Sequence, residues 1–106
     1  MKKIFTLLLV VSTFATLSFA KNYVVDQKGK TFIPHEITVK AGDTITFKNS
    51  DPFAHNVYTD NEDNEFDVGM QPPGSSAVIT VKPGETFMVE CAIHPNMLLI
   101  VNMPKN

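Results

Sequence analysis

The chain has 106 residues, with eleven acidic residues against nine basic ones and a single cysteine. A chain of this length has room for one domain with a modest core but not for two. The excess of acidic residues disfavours nucleic acid as a partner, because its phosphate backbone selects basic surfaces.

The first twenty residues have the pattern of an export signal. Two lysines precede an apolar run over 4–11, and the segment ends in small residues at Ser18 and Ala20. A membrane anchor is the alternative, but this run is far shorter than the ~20 apolar residues that span a bilayer. We therefore expect a signal peptide over 1–20, cleavage after Ala20, and a periplasmic domain over 21–106 without stable membrane insertion. Cleavage leaves seven lysines against eleven acidic residues, a formal charge of −4.

From residue 21 onward, short segments alternate apolar and polar residues and are separated by Gly, Pro, Asn and Asp. No stretch shows apolar residues at helical spacing. We predict strands over residues 23–26, 36–40, 44–48, 55–59, 77–81, 87–91 and 98–103. The acid-rich segment 60–67 is predicted to be a solvated loop or a sheet edge.

This pattern predicts an all-β fold, a Greek-key β-sandwich of six to eight strands in two packed sheets. Antiparallel pairing is expected, because parallel strands need long crossovers and this chain has none that stand out. No internal repeat or linker is visible in the sequence. Any functional site is therefore expected on loops at one end of the sandwich.

Cys91 is the most informative residue, because a lone cysteine in an exported domain has no partner for an intramolecular disulfide. His94 and Met97 add an imidazole and a thioether within seven residues, at the end of a predicted strand. Two imidazoles with one thiolate and a weak thioether suit copper in electron-transfer sites. A buried structural role is the alternative for each residue taken alone, but their combination predicts a copper site.

The second imidazole must come from elsewhere among the three histidines. His55 is the best candidate, because it follows a Pro-containing loop at the start of a predicted strand. His35 has no soft ligand near it in the sequence and is expected to face solvent. Met70 and Met103 are alternatives to Met97, but they lie in a separate loop and a further strand-length away.

Three stretches of this sequence resemble the cupredoxins, and within them the amicyanin and plastocyanin type. They are Phe32-Ile33-Pro34, the segment 37–49, and His55-Asn56-Val57, so the likeness extends over nearly the whole mature chain. The short Cys-x-x-His-x-x-Met loop, with Pro95 after its histidine, is most similar to amicyanin.

The resemblance implies a ligand set for one copper ion: His55, Cys91 and His94 as strong ligands and Met97 as the axial ligand. It also implies that Asn56 bridges the two ligand loops, which are the loop that leads to His55 and the loop from Cys91 to Met97. Ala92 departs from the family pattern, since many relatives place Ser or Thr directly after the cysteine. Hydrogen bonds around the ligands tune the reduction potential, so this departure bears on the potential and not on metal binding.

We therefore predict a soluble type 1 (blue) copper protein that carries single electrons, its copper cycling between Cu(I) and Cu(II), without substrate turnover of its own. A monomer is expected, with redox proteins as donor and acceptor, such as a dehydrogenase and a cytochrome. The residues expected around the exposed edge of His94 are Pro52, Phe53, Pro95 and Met97.

A periplasmic copper-binding protein for copper storage, delivery or tolerance is the alternative function. Delivery proteins more often offer Met-rich or paired-Cys sites, so the mixed site favours the carrier. A copper oxidase or nitrite reductase needs a further catalytic copper, and three histidines are too few to hold one in the isolated chain.

Overall fold

The computed structural model describes residues 19–105, and these residues form nine strands. The predicted leader over 1–20 lies outside the described residues, apart from its last two. In chain order the strands are β1 (Asn22–Gln27), β2 (Phe32–Ile33), β3 (Glu36–Thr38), β4 (Thr44–Asn49), β5 (Val57–Thr59), β6 (Phe66–Asp67), β7 (Ser76–Thr80), β8 (Phe87–Cys91) and β9 (Leu98–Asn102).

The strands form two sheets, one in the order β2-β1-β4-β7 and the other in the order β3-β9-β8-β5-β6. The predicted all-β sandwich is confirmed. The strand number exceeds the expected six to eight because β2 and β6 are only two residues long, too short to show an alternating pattern. Strand β6 is the edge of its sheet and lies within the acid-rich segment.

The expectation of purely antiparallel pairing is wrong. Strand β1 pairs with β4 in parallel, and β3 pairs with β9 in parallel. The chain between β1 and β4 contributes β2 to the first sheet and β3 to the second, and then returns. Passage through the opposite sheet therefore replaces the helical crossover that a parallel pair usually requires.

Alternate residues of the strands face the space between the sheets and form the core. In β4, Ile45 and Phe47 are fully buried, whereas the flanking Thr46 and Lys48 face outward. The Phe47 ring lies between the rings of Phe32 and Phe66, with centroid distances of 6.3 Å and 5.7 Å. Burial of such side chains is the main source of stability in a domain of this size.

The pairing of β5 with β8 brings two distant parts of the chain together at one end of the sandwich. Val57 lies opposite Cys91 in this antiparallel pair. His55, two residues before Val57, pairs with Gln71 through an isolated antiparallel bridge. The segment after β8 then turns through His94 before β9 begins, so three chain segments meet at this end. Over residues 19–105, no helix has the length and apolar character needed to cross a membrane.

Candidate metal centre

Three predicted ligand residues converge at this end of the sandwich. The Cys91 Sγ atom lies 3.6 Å from His55 Nδ1 and 3.8 Å from His94 Nδ1. The two Nδ1 atoms are 3.1 Å apart. Cys91 and His55 are buried and His94 is half-buried, so the donor atoms form a compact group under the surface.

The spacing of these donor atoms fits a single metal ion. Metal–nitrogen and metal–sulfur bonds of about 2.0–2.3 Å, as in zinc sites with the same donors, place neighbouring ligand atoms roughly 3–4 Å apart. All three distances between the donor atoms fall in this range. Two imidazoles with one thiolate form the donor set of a blue-copper electron-transfer site. The residues therefore fit copper without rearrangement of the backbone.

His55 is held from behind by a buried carboxylate. Its Nε2 atom lies 2.7 Å from Asp51 Oδ2, and His55 is fully buried. Burial of Asp51 opposes its ionisation, but hydrogen bonds from His55, Lys30 N and Gly29 N outweigh burial and keep its pKa below the ordinary value. Asp51 is therefore a carboxylate, and His55 presents Nδ1 to the other two ligand residues.

His94 lies on the solvent side of the same group. Its ring is 4.8 Å from the His55 ring and 5.4 Å from the Phe53 ring, measured between centroids. Partial burial lowers the pKa of His94, and the proximity of His55 and Lys30 acts in the same direction. The neutral imidazole, which is the form that binds a metal, is thus favoured.

The backbone of Asn56 joins the two ligand loops, as the resemblance implies. Its N–H points at Cys91 Sγ at 3.4 Å, and its carbonyl accepts the N–H of Ala92 at 2.9 Å. The Asn56 side chain donates to Asp67 Oδ1 instead. Since Ala92 offers no hydroxyl, nothing at that position draws the amide towards the cysteine loop.

The structure separates the three candidate methionines. Met97 is 1% exposed, and its N–H donates to His94 O within the ligand loop. Met70 is 63% exposed. The Met103 sulfur contacts Asn64 Nδ2. Asn64 also accepts the Lys82 N–H through its Oδ1, so Met103 lies beside the loop that contains Lys82 and not beside Cys91 or His94. Met97 is therefore the methionine that the fold buries beside His94.

The exposure of individual side chains decides two expectations about the residues around the site. His35 is exposed, as predicted. The expectation that Met97 lies in the exposed surface around His94 is wrong, because the turn after His94 directs it into the core. Pro52 and Pro95 are exposed near this edge, and Ile93 is 44% exposed.

Sequence reasoning missed the buried polar residues that support His55. Asn49 donates from Nδ2 to Phe53 O and to Gln71 O, and its Oδ1 accepts the N–H of Asp51. The His55 N–H donates to Gln71 O and the Gln71 N–H donates to His55 O. The only signal in the sequence was the crowding of polar residues just before His55, which is equally typical of a solvated loop.

The fold and the donor set together define a copper protein built on a β-sandwich. Residues 19–103 match the family described as "Copper binding proteins, plastocyanin/azurin family". The chain belongs to this family, and the prediction of copper as its metal is confirmed.

Curated relatives and solved structures agree with this assignment. Plastocyanin B'/B'' of Nicotiana tabacum is 32% identical over 81 residues, which cover 65% of this chain and 81% of that protein. Chloroplastic plastocyanin of Hordeum vulgare is 39% identical over 62 residues, but these cover 58% of this chain and 39% of that protein. The chain thus spans less than half the length of this chloroplastic relative.

Among solved structures, an amicyanin variant in its Cu(I) form superposes with a TM-score of 0.72 at 26% identity, covering 78% of this chain and 82% of that chain. A copper-containing nitrite reductase from Thermus scotoductus has the same TM-score of 0.72 at 22% identity. It covers 80% of this chain but 23% of the reductase, so that likeness shows the fold alone.

Two asparagines near the site, Asn49 and Asn56, are predicted to contribute very differently to the stability of the domain. Asn49→Ala leaves the Phe53 carbonyl and the Asp51 N–H without their partner and removes one of the two hydrogen bonds to Gln71 O. Because each unsatisfied buried group costs about 1–3 kcal/mol, the free energy of unfolding should fall by about 2 kcal/mol or more. Asn56→Ala, the matched control, removes only an exposed bond and should have a much smaller effect, since its backbone carries the bridge. Urea unfolding of the copper-free domain measures both; equal losses would contradict this assignment.

Proposed function

We propose that this protein is a soluble electron carrier of the blue-copper type. One observation carries the proposal: the Cys91 sulfur and two imidazole nitrogens lie within 3.8 Å of one another at one end of the sandwich, with Cys91 and His55 buried and His94 half-buried. Bound copper supplies a one-electron couple between Cu(I) and Cu(II). The protein supplies a fixed arrangement of donors, so that little has to move when an electron arrives.

We propose a complete ligand set of His55, Cys91, His94 and Met97. The first three have converging donor atoms. Support for Met97 comes from its burial and from its bond to His94 O, which places it in the same tight turn. A thioether is a weak axial ligand in such sites and tunes the potential rather than binding strongly.

The visible and electron-spin-resonance spectra of the copper-loaded mature domain test this ligand set. We expect an intense blue colour in the oxidised protein that disappears on reduction and is absent from Cys91→Ala, because the colour requires a copper–thiolate bond. A colourless protein that still binds copper would favour storage or delivery. Failure to bind copper would contradict both functions.

A matched pair of methionine variants tests the axial position. Met97→Leu should keep the blue colour but raise the reduction potential, because the thioether is lost while the side-chain volume is nearly kept. Met103→Leu, a change at another buried position in a different part of the core, should leave the potential as it is. Equal reduction potentials for the two variants would show that Met97 is not a ligand.

We propose that electrons enter and leave through the exposed edge of His94. It is the half-exposed ligand, whereas His55 and Cys91 are buried. Apolar side chains next to it, from Phe53, Pro95 and Ile93, form a surface suited to brief contacts with a redox partner. Such partners are proteins that donate or accept one electron, and a monomeric carrier needs no other subunit at this surface.

Electron self-exchange between oxidised and reduced protein tests this entry point. Phe53→Glu places a carboxylate on the proposed contact surface of both molecules and should slow exchange at least about tenfold, with partial recovery at high salt. The blue spectrum should not change. Val78→Glu is the control, since it adds the same charge on the outer face of β7 at a position that is 62% exposed. If both variants exchange at the same rate, electrons do not pass through this surface.

We further propose export to the periplasm with removal of residues 1–20. The Lys21 N–H donates to Asp43 Oδ1 at 2.9 Å, and β1 begins at Asn22. Cleavage after Ala20 would therefore leave β1 and the strands after it intact. It would also place the new amino group within hydrogen-bonding distance of the buried Asp43 carboxylate. The intact mass of periplasmic protein tests this: a chain that begins at Lys21 is expected, and one that retains the leader contradicts the proposal.

A further inference from the structure

The turn between β1 and β2 forms a small anion-binding concavity in front of Asp51. Lys28 and Thr31 exchange two backbone hydrogen bonds, so the turn has two central residues, Gly29 and Lys30. Both have positive φ, 64° and 57°, the pattern of a type I′ turn. A lysine is uncommon in this left-handed region, yet this conformation directs the amides of both central residues to one carboxylate.

Asp51 fills that concavity and takes part in three hydrogen bonds, two of them from backbone amides. Its Oδ1 accepts the Gly29 N–H at 2.7 Å, and its Oδ2 accepts the Lys30 N–H at 3.1 Å. The same Oδ2 lies 2.7 Å from His55 Nε2, and Asp51 is only 5% exposed. Backbone amides can only donate, so these two bonds hold Asp51 as an acceptor independently of His55.

This arrangement determines which nitrogen of His55 carries the proton. A carboxylate can only accept, so His55 must donate from Nε2. The lone pair of Nδ1 then faces Cys91 Sγ and His94 Nδ1.

We propose that Asp51 is a positioning residue for copper, which locks His55 in the Nε2–H tautomer and lowers the reduction potential of the site. This inference rests on the proposed copper function. A carboxylate hydrogen-bonded to a ligating imidazole fixes its orientation and makes it a stronger donor. A buried negative charge behind the ligand also favours the more positive Cu(II) over Cu(I), since charges interact strongly where water is excluded.

Asp43 offers a matched control within the same domain. It is 1% exposed, its Oδ1 accepts the Lys21 N–H, and its Oδ2 accepts the Lys40 N–H at 2.8 Å. It therefore resembles Asp51 in burial and in its bonds to backbone amides. Asp43 lies just before β4, however, whereas Asp51 lies just after it, at the other end of the strand. None of its hydrogen bonds reaches a ligand residue.

The reduction potentials of Asp51→Asn and Asp43→Asn in the copper-loaded domain test the proposal. An asparagine has one acceptor oxygen, so in either variant its NH₂ group faces a donor and both should lose stability. Only Asp51→Asn should shift the copper equilibrium: we expect at least a tenfold change in favour of Cu(I), which is about 59 mV upward for one electron. Asp51→Glu, which keeps the charge, should lie closer to the wild type. Equal potentials for the two asparagine variants would overturn the proposal.

A measurement on copper-free wild-type protein keeps the test independent of variant folding and of copper binding. Nitrogen-15 NMR of the imidazole rings should show His55 as the Nε2–H tautomer. A dominant Nδ1–H form or a doubly protonated ring would overturn the role of Asp51. If the tautomer is as expected but the wild type gives no blue copper species, the proposed copper function and the effect of Asp51 on the potential both fail, whereas the locking of the His55 tautomer by Asp51 stands.

Discussion

The antiparallel pairing of β5 with β8 is the constraint on which the rest of the site depends. It sets Val57 opposite Cys91, which brings the loop that carries His55 against the end of the strand that carries the cysteine. The two bonds of the Asn56 backbone, to Cys91 Sγ and from Ala92 N, extend the same ladder into the site. The proposed ligands His55 and Cys91, which are 36 residues apart in the chain, are thereby brought together by sheet pairing.

The two histidines of the site have opposite surroundings, and this asymmetry gives them different tasks. His55 is fully buried, with its backbone bridged to Gln71 and its ring bonded to a buried carboxylate. His94 is half-exposed and contacts Phe53, and no carboxylate bonds to its ring in the described part of the chain. The inner histidine is suited to hold the metal, and the outer one to face a partner.

Much of the fold and most of the donor set could be predicted from the sequence. The alternation of apolar residues in β4, β7 and β8 identifies strands because each has one face in the core, and the single cysteine draws attention to its own loop. The parallel pairs could not be predicted, since strand order depends on which sheet each segment joins. The two-residue strands are too short to carry a periodic signal.

The residues that support His55 could not be predicted from the sequence either. Asp51, Asn49 and Gln71 have the residue types of ordinary loops, and only the three-dimensional structure shows that they are buried and bonded to one another. The location of Met97 depended on the same kind of information. It was expected among the residues around the exposed edge of His94, whereas the turn places it in the core.

The central claim is that the fold itself holds the copper ligands in place through a change of redox state. X-ray absorption at the copper edge, recorded for the Cu(II) and Cu(I) forms of the mature domain, tests this claim most directly. We predict one short copper–sulfur bond and two copper–nitrogen bonds in both forms, with only small changes in length between them. Loss of a ligand on reduction, or a copper environment without sulfur in either form, would contradict the account.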